Sequence, residues 1–271
     1  MPDDDKPVVV GVDGSTASLN ALRWAVKDAV FRGVPIRLVH AVPERRAAGR
    51  PCDCTDIVLL TAEDVIEDVG KPVGLELRRT VGEPAEVLIA ESCHAAMVCI
   101  GEPASSSGKL FGAIAVALME HARCPVAVIR SDAGGRPRDC GVISVVLDDH
   151  PDNDEVVHQA MQEGRLRKAT VRQIDRRVDS WIRRYPDVPV EVVAAGTGRQ
   201  YRRSDGDGAD VQLAVVGDSD AAAVATLTTP NCHPILGYPN CSVLMVRTND
   251  GAARAPARQL RRRPQTRSLG H

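Results

Sequence analysis

One feature limits the folds open to this chain more than any other: it repeats itself at the length of a whole domain. Residues Lys6 to Val12 read as a buried strand ending at Asp13-Gly14-Ser15. A helix follows from Thr16 to Arg32, with Leu19, Leu22, Ala25, Val26 and Ala29 at helical spacing, and Gly33 closes it. Pro35 to Val42 is a second strand, and the helical crossover implies parallel pairing. The same unit begins again 135 residues later, where Val142 to Leu147 ends at Asp148-Asp149-His150, a helix runs from Asp152 to Gly164, and Ala169 to Ile174 is the next strand. Asp13 and Asp148 fall at the same place, and no gap is needed across the unit.

The halves also match at their ends. Ala96-Met97-Val98-Cys99-Ile100-Gly101 parallels Leu213-Ala214-Val215-Val216-Gly217, and Cys124 to Arg130 parallels Cys241 to Arg247. The offset there is 116–117 residues, so the second copy is shorter by roughly one helical segment. A repeat this long indicates duplication, since a solenoid has a period of about 20–50 residues. Each copy reads as βαβαβαβαβ. In the first, Asp56–Val69 is the second helix, Pro72–Val81 the third strand, Pro84–His94 the third helix and Ala113–Ala122 the fourth. In the second, Val178–Arg184 is a short helix and Val188–Ala194 a strand. The predicted architecture is α/β: two tandem, open, mostly parallel five-stranded sheets flanked by helices. They span residues 1–131 and 139–247, with the Gly/Pro-containing segment Ser131 to Arg138 as linker. Residues 248–271 carry six Arg and little apolar content and read as a disordered tail.

Composition fits this. Hydrophobic residues make up 44% of 271, enough for packed cores, but aromatics only 3%, so the cores are built from Val, Ile, Leu, Ala and Met, as buried parallel strands favour. A net charge of −2 gives no global field toward nucleic acid or a membrane. Arg261-Arg262-Arg263 lies in the tail without interleaved aromatics, so nucleic acid is not an expected partner. No apolar run is long enough to span a bilayer, and the acidic start, Met1 to Lys6, lacks the features of a signal peptide. The expectation is a cytoplasmic protein whose eight Cys are mostly reduced. Cys99, Cys124 and Cys241 read as buried small hydrophobes, and His121 as a surface residue. Cys52-Asp53-Cys54 has no second pair nearby to complete a metal site. No Ser-His-Asp or Cys-His set can be assembled from spacing, so no catalytic residues are assigned.

In an open parallel sheet, ligands sit beyond the carboxyl ends of strands where strand order reverses. Asp13 ends the first strand and Gly101 the fourth. If those strands are neighbours, both face one crevice, where a carboxylate can accept from an adenine amino group or a ribose hydroxyl. Asp13 can equally cap the first helix. The loop from Glu102 to Gly112 opens another helix, whose free N–H groups attract anions, and Ser105, Ser106, Ser107 and Lys109 lie beside it. That run is either a rearranged phosphate site or a solvated loop. It is not a P-loop: Gly101 to Gly108 leaves six intervening residues rather than four, and Leu110 cannot ligate Mg²⁺.

Val9-Val10-Gly11-Val12-Asp13-Gly14-Ser15 followed by a helix carrying Trp24-Ala25, and the closing segment His121 to Val128, resemble the opening and close of universal stress protein domains. With the duplication and the excess of Arg over Lys, the chain resembles the tandem two-domain, actinobacterial-like members. The resemblance covers residues 6–130 well and 140–247 more loosely. It implies the strand order 3-2-1-4-5 in each copy, Asp13 against adenine, Ala41 lining its pocket, and a stress-response role. Nucleotide-binding members carry G-x2-G-x9-G-S/T after the fourth strand. Here Gly101 matches the first position, but the second is Ala104, seven residues instead of nine separate Ala104 from Gly112, and the last position is Ala113. ATP or AMP is therefore expected in the first copy with weak affinity or none, and Mg²⁺ only if ATP is bound. In the second copy, Asp218-Ser219-Asp220 follows Gly217 and sets two carboxylates where phosphates belong, so that half is expected not to bind. The resemblance also implies that Val126–Ile129 and Val243–Val246 are edge strands that meet across the duplication or between chains, giving intramolecular pairing and a homodimer. The competing reading is a nucleotide-free interaction module in stress signalling.

Overall fold

The computed structural model of the chain describes residues 6–44, 56–70, 72–103, 111–131, 135–137, 139–145, 153–173, 179–192, 211–217 and 241–247. In the first half these form β1 (Val8–Gly11), α1 (Thr16–Arg32), β2 (Ile36–Val42), α2 (Ile57–Val69), β3 (Leu75–Val81), α3 (Pro84–Glu91) with a 3-10 turn (Ser92–His94), β4 (Met97–Glu102), α4 (Ala113–His121) and β5 (Val126–Arg130). In the second half they form β6 (Val142–Val145), α5 (Asn153–Arg167), β7 (Val171–Gln173), α6 (Asp179–Arg184), β8 (Val190–Val192), β9 (Val211–Val216) and β10 (Ser242–Met245).

The ten strands make one sheet in the order β3-β2-β1-β4-β5-β10-β9-β6-β7-β8. Each half contributes five parallel strands in the order third, second, first, fourth, fifth. The two five-stranded sheets run on into each other through β5 and β10, which pair antiparallel with Val243 opposite Val128, Leu244 opposite Ala127 and Met245 opposite Val126. Ser242 Oγ accepts from Arg130 N at 3.0 Å across this seam.

Alternation along the central strands sorts their side chains into two layers. Val8, Val10, Met97, Cys99, Ala127, Ile129, Leu244 and Leu213 face one way, into a core shared with α1, α2 and α5. Val9, Val98, Ile100, Val126, Val128, Val243 and Met245 face the other, against α3 and α4. Both layers cross the seam, so the halves share their hydrophobic cores. Burial on both faces is why these strands are nearly all apolar. At about 1.5–3 kcal/mol for each fully buried Val, Leu or Ile, this is the main stabilising term. Cys99, Cys124 and Cys241 are buried within it, and burial pushes the Cys124 thiol up to about 12, so it stays protonated at neutral pH.

Several boundaries differ from the sequence reading, for local reasons. The helix expected to stop at Gly164 continues to Arg167. A Cβ at Gly164 would lie 2.7 Å from Val171 Cγ2 and 2.9 Å from Val188 Cγ1, so this glycine permits close packing of α5 instead of ending it. The left-handed residue that ends the helix is Lys168, at φ 53°. The helix expected over Pro84–His94 tightens to a 3-10 turn at Ser92, whose Oγ accepts from Arg123 N at 2.9 Å. Of the linker, Ser131 and Gly135 are held by α1: the buried Asn20 side chain donates to Ser131 Oγ at 2.9 Å and to Gly135 O at 2.8 Å.

A polar joint between α1 and α5 adds to the seam. Arg32 of α1 donates to Asp28 at 2.8 Å and to Gln159 of α5 at 2.9 Å. Arg167 of α5 donates to Glu163 at 2.7 Å and lies over the Trp24 ring at 4.1 Å. Asp28 and Glu163 are each only 1% exposed.

Candidate functional site

The strand order reverses at β1, which has β2 on one side and β4 on the other. Beyond the carboxyl ends of β1 and β4 lies a crevice of about 450 Å³, within the ~300–1,000 Å³ usual for small-molecule sites. Val39, Leu88, Ile100 and Ile114 give it apolar walls, and Asp13, Ser18 and Glu102 are its polar groups.

Its floor depends on two glycines. A Cβ at Gly11 would meet Leu88 Cδ1 at 3.0 Å and Ile100 Cγ2 at 3.4 Å. At Gly101 it would fall 2.1 Å from Ala17 O and 2.5 Å from Ser18 N, inside the backbone of the first turn of α1. Gly101 is thus required by the contact of α1 with β4, independently of any ligand.

Asp13 follows β1 and lines the crevice. Its Oδ1 accepts from Ser15 N at 2.9 Å, and its own N–H points at Ser18 Oγ, 3.4 Å away. The cap of α1 is Ser15, whose Oγ accepts from Ser18 N at 3.1 Å, so the reading of Asp13 as the helix cap is corrected. Asp13 instead makes a short turn before the cap. Burial alone would raise its pKa, but the hydrogen bonds from Ser15 and Ser18 outweigh this and hold the carboxyl below its ordinary value. At neutral pH Asp13 is a carboxylate and accepts hydrogen bonds.

The structure brings Ala41, Gly101, Gly112 and Ala113 to the same crevice as Asp13. Ala41 is on β2, and Gly112 and Ala113 open α4. Ala104, Ser105 and Lys109 lie outside the described residues, as do Asp148, the Asp218-Ser219-Asp220 run, Cys52, Cys54 and Arg261 to Arg263. His121, expected at the surface, is exposed, 3.6 Å from Glu120. Among the described residues no three His, Cys, Asp or Glu side chains stand together as a metal site, and no helix is long and apolar enough to cross a membrane.

Glu102 is a crevice residue that the sequence reading did not single out. Its Oε1 accepts from Gly112 N at 3.0 Å, bridging the end of β4 to the start of α4. It pairs in register with Arg130 of β5, whose buried guanidinium lies 5.3 Å from the centroid of Phe111. Burial pushes the Glu102 carboxyl above its ordinary value, against the opposing pull of the Gly112 N–H and the Arg130 charge. The signal available in the sequence was its place beside Gly101, at the carboxyl end of the fourth strand.

The universal stress protein family model matches residues 6–130. The universal stress protein Rv2624c of Mycobacterium tuberculosis is 35% identical over 263 residues, covering 89% of this chain and 96% of the relative. A second from the same organism, Rv2028c, is 31% identical over 91% of this chain and 98% of the relative. Among solved structures, a universal stress protein from Archaeoglobus fulgidus superimposes with a TM-score of 0.58 at 14% identity, covering 91% of this chain and 97% of that one. A functionally unknown protein from Pseudomonas aeruginosa gives 0.59 at 13% identity, over 92% and 94%. These two likenesses are of fold. With relatives of that identity matched along nearly their whole length, on the strand order and crevice described above, the chain belongs to the universal stress protein family.

Proposed function

We propose that the chain is a cytoplasmic stress-response protein whose first half binds the adenosine part of an adenine nucleotide, ATP or AMP. The observation that supports this most is the grouping of Asp13, Ala41 and Gly101 around one apolar crevice at the reversal of strand order. The apolar walls suit a purine ring, and the Asp13 carboxylate suits an amino or hydroxyl donor. ATP would bring its own Mg²⁺ and would rely on a phosphate cradle that the substitutions at Ala104 and Ala113 weaken. The competing reading, a nucleotide-free module that fixes a homodimer through its last strands, has less support, because β5 and β10 already pair with each other within one chain.

Calorimetry with adenosine, AMP and ATP tests the proposal. Saturable binding of adenosine that Asp13→Ala weakens by about tenfold is expected, the loss of one charge-assisted hydrogen bond. Absence of any heat with all three compounds, together with no adenine nucleotide co-eluting with the purified protein, would exclude it.

A further inference from the structure

Glu102 has a second consequence for the crevice. The first N–H groups of a helix and its dipole attract one anion. At the start of α4 that anion is part of the protein. Glu102 Oε1 takes the Gly112 N–H at 3.0 Å, and a Cβ at Gly112 would lie 3.1 Å from Oε1 and 3.4 Å from Oε2. Both carboxylate oxygens therefore rest against the residue that opens the helix, which supplies no side-chain cap of its own. Glu102, Gly112, Ala113 and Ile114 border the same cavity as Asp13 and Ala41, so the occupied helix start faces any ligand bound there.

We propose that Glu102 is a tethered stand-in for a phosphate and sets the ligand class of the pocket to neutral adenine nucleosides, adenosine binding ahead of AMP and AMP ahead of ATP. The proposal rests on the adenine reading of the crevice. A phosphate entering at α4 must either displace the carboxylate from Gly112 or lie beside it, and like charges a few ångströms apart repel. Among the described residues, the cation paired in register with Glu102 is Arg130, 2% exposed and packed on Phe111. Its charge is set against the Glu102 carboxylate. A neutral ribose hydroxyl meets no such penalty and can donate to Glu102.

The test uses the full chain, with two variants and two probes. Glu102→Gln keeps the shape and the acceptor for Gly112 N while removing the charge. Glu102→Ala empties the seat. Calorimetry gives the ratio of ATP to adenosine affinity, expected to be about tenfold or more in favour of adenosine in the wild type and to move toward ATP by at least about fivefold in both variants. Inorganic pyrophosphate, which carries no adenine, is expected to raise the melting temperature of Glu102→Ala at millimolar concentration and to leave the wild type unmoved. If Glu102→Ala does not fold, the isosteric Glu102→Gln carries both measurements. A ratio that moves by less than fivefold, or pyrophosphate acting alike on wild type and variants, overturns the proposal. Failure of adenosine to bind anywhere defeats the adenine reading instead, while the pyrophosphate comparison still decides whether Glu102 holds the phosphate seat.

Discussion

The two halves of the molecule share the same strand interior but not the same residues at the crevice positions. β1, β4 and β5 correspond to β6, β9 and β10 in order and direction, and all six are buried along nearly their whole length. The outer strands β2 and β3 have β7 and β8 as their counterparts in the sheet order. What differs is the residues at the positions that open the first crevice. Gly11 forms its floor, and the 135-residue offset aligns Val146 with it. After duplication, shared core and seam constrain both copies equally, because a fault in either exposes apolar surface in the other. The rim is free of that constraint, and the crevice described above belongs to the first half; the corresponding residues of the second, 146–150 and 218–220, lie outside the described residues.

Two substitutions probe how equal the cores are. Leu244 of β10 is fully buried and faces Ala127 across the seam. Leu244→Ala is expected to lower unfolding free energy by about 2–5 kcal/mol in denaturant titration, by lost transfer energy and a cavity. A loss below about 1 kcal/mol would mean that the halves do not lean on each other there. Gly101→Ala is expected to cost about 1–3 kcal/mol, because the added methyl collides with the backbone of α1 and not with a side chain that can turn away. If it weakened ligand binding with stability unchanged, Gly101 would be a ligand residue first.

The same contrast explains what the sequence disclosed. Strands buried on both faces announce themselves as apolar runs, so β1, β4, β5, β9 and β10 were legible within a residue or two. α1 was legible to the residue, with Ser15 before it and Gly33, at φ 71°, after it. Gly164 misled because a glycine needed for close packing looks the same in sequence as one that ends a helix. Of the residues that line the crevice, Asp13, Ala41, Gly101, Gly112 and Ala113 were named from strand ends and family resemblance. Glu102 was not, because its role depends on a contact with Gly112, ten residues away, that no local pattern encodes. The continuity of the two sheets was legible only as an expectation that exposed apolar edges must be covered.

At the rim, Asp13→Ala is expected to weaken adenosine binding about tenfold, while Asp148→Ala, its counterpart by the repeat, is expected to leave it within about twofold. The reverse result would move the site to the second half. Because the Asp13 pKa is held low, adenosine affinity is expected to stay level from pH 8 down to pH 5 and to fall only as the carboxylate takes up a proton below its ordinary range.

The smallest expected effect lies in the joint where the halves meet away from the seam. Glu163 of α5 is buried beside Asp28 of α1, with Arg32 and Arg167 as the neighbouring cations, Gln159 as a neutral partner, and Trp24 stacked under Arg167. Burial pushes the Glu163 carboxyl up to about 7; Arg167 pulls it down, and the charge and hydrogen bond of Asp28 push it further up. A carboxyl whose folded pKa exceeds its unfolded value binds more protons in the native state between the two values, so stability falls as pH rises through that window. The joint is thus tightest below the unfolded value of about 4.5 and loosens as Glu163 ionises near 7, a direction opposite to that of a carboxylate held by a salt bridge. Between pH 6 and pH 8 the loss is expected to be on the order of 1 kcal/mol, read from urea midpoints at constant ionic strength. Glu163→Gln keeps a hydrogen-bonding side chain toward Asp28 and removes the ionisation, so its stability is expected to run flat over the same interval. An unchanged slope in that variant would assign the pH dependence to another group and show that this carboxyl pair does not govern how firmly α1 and α5 hold the halves together.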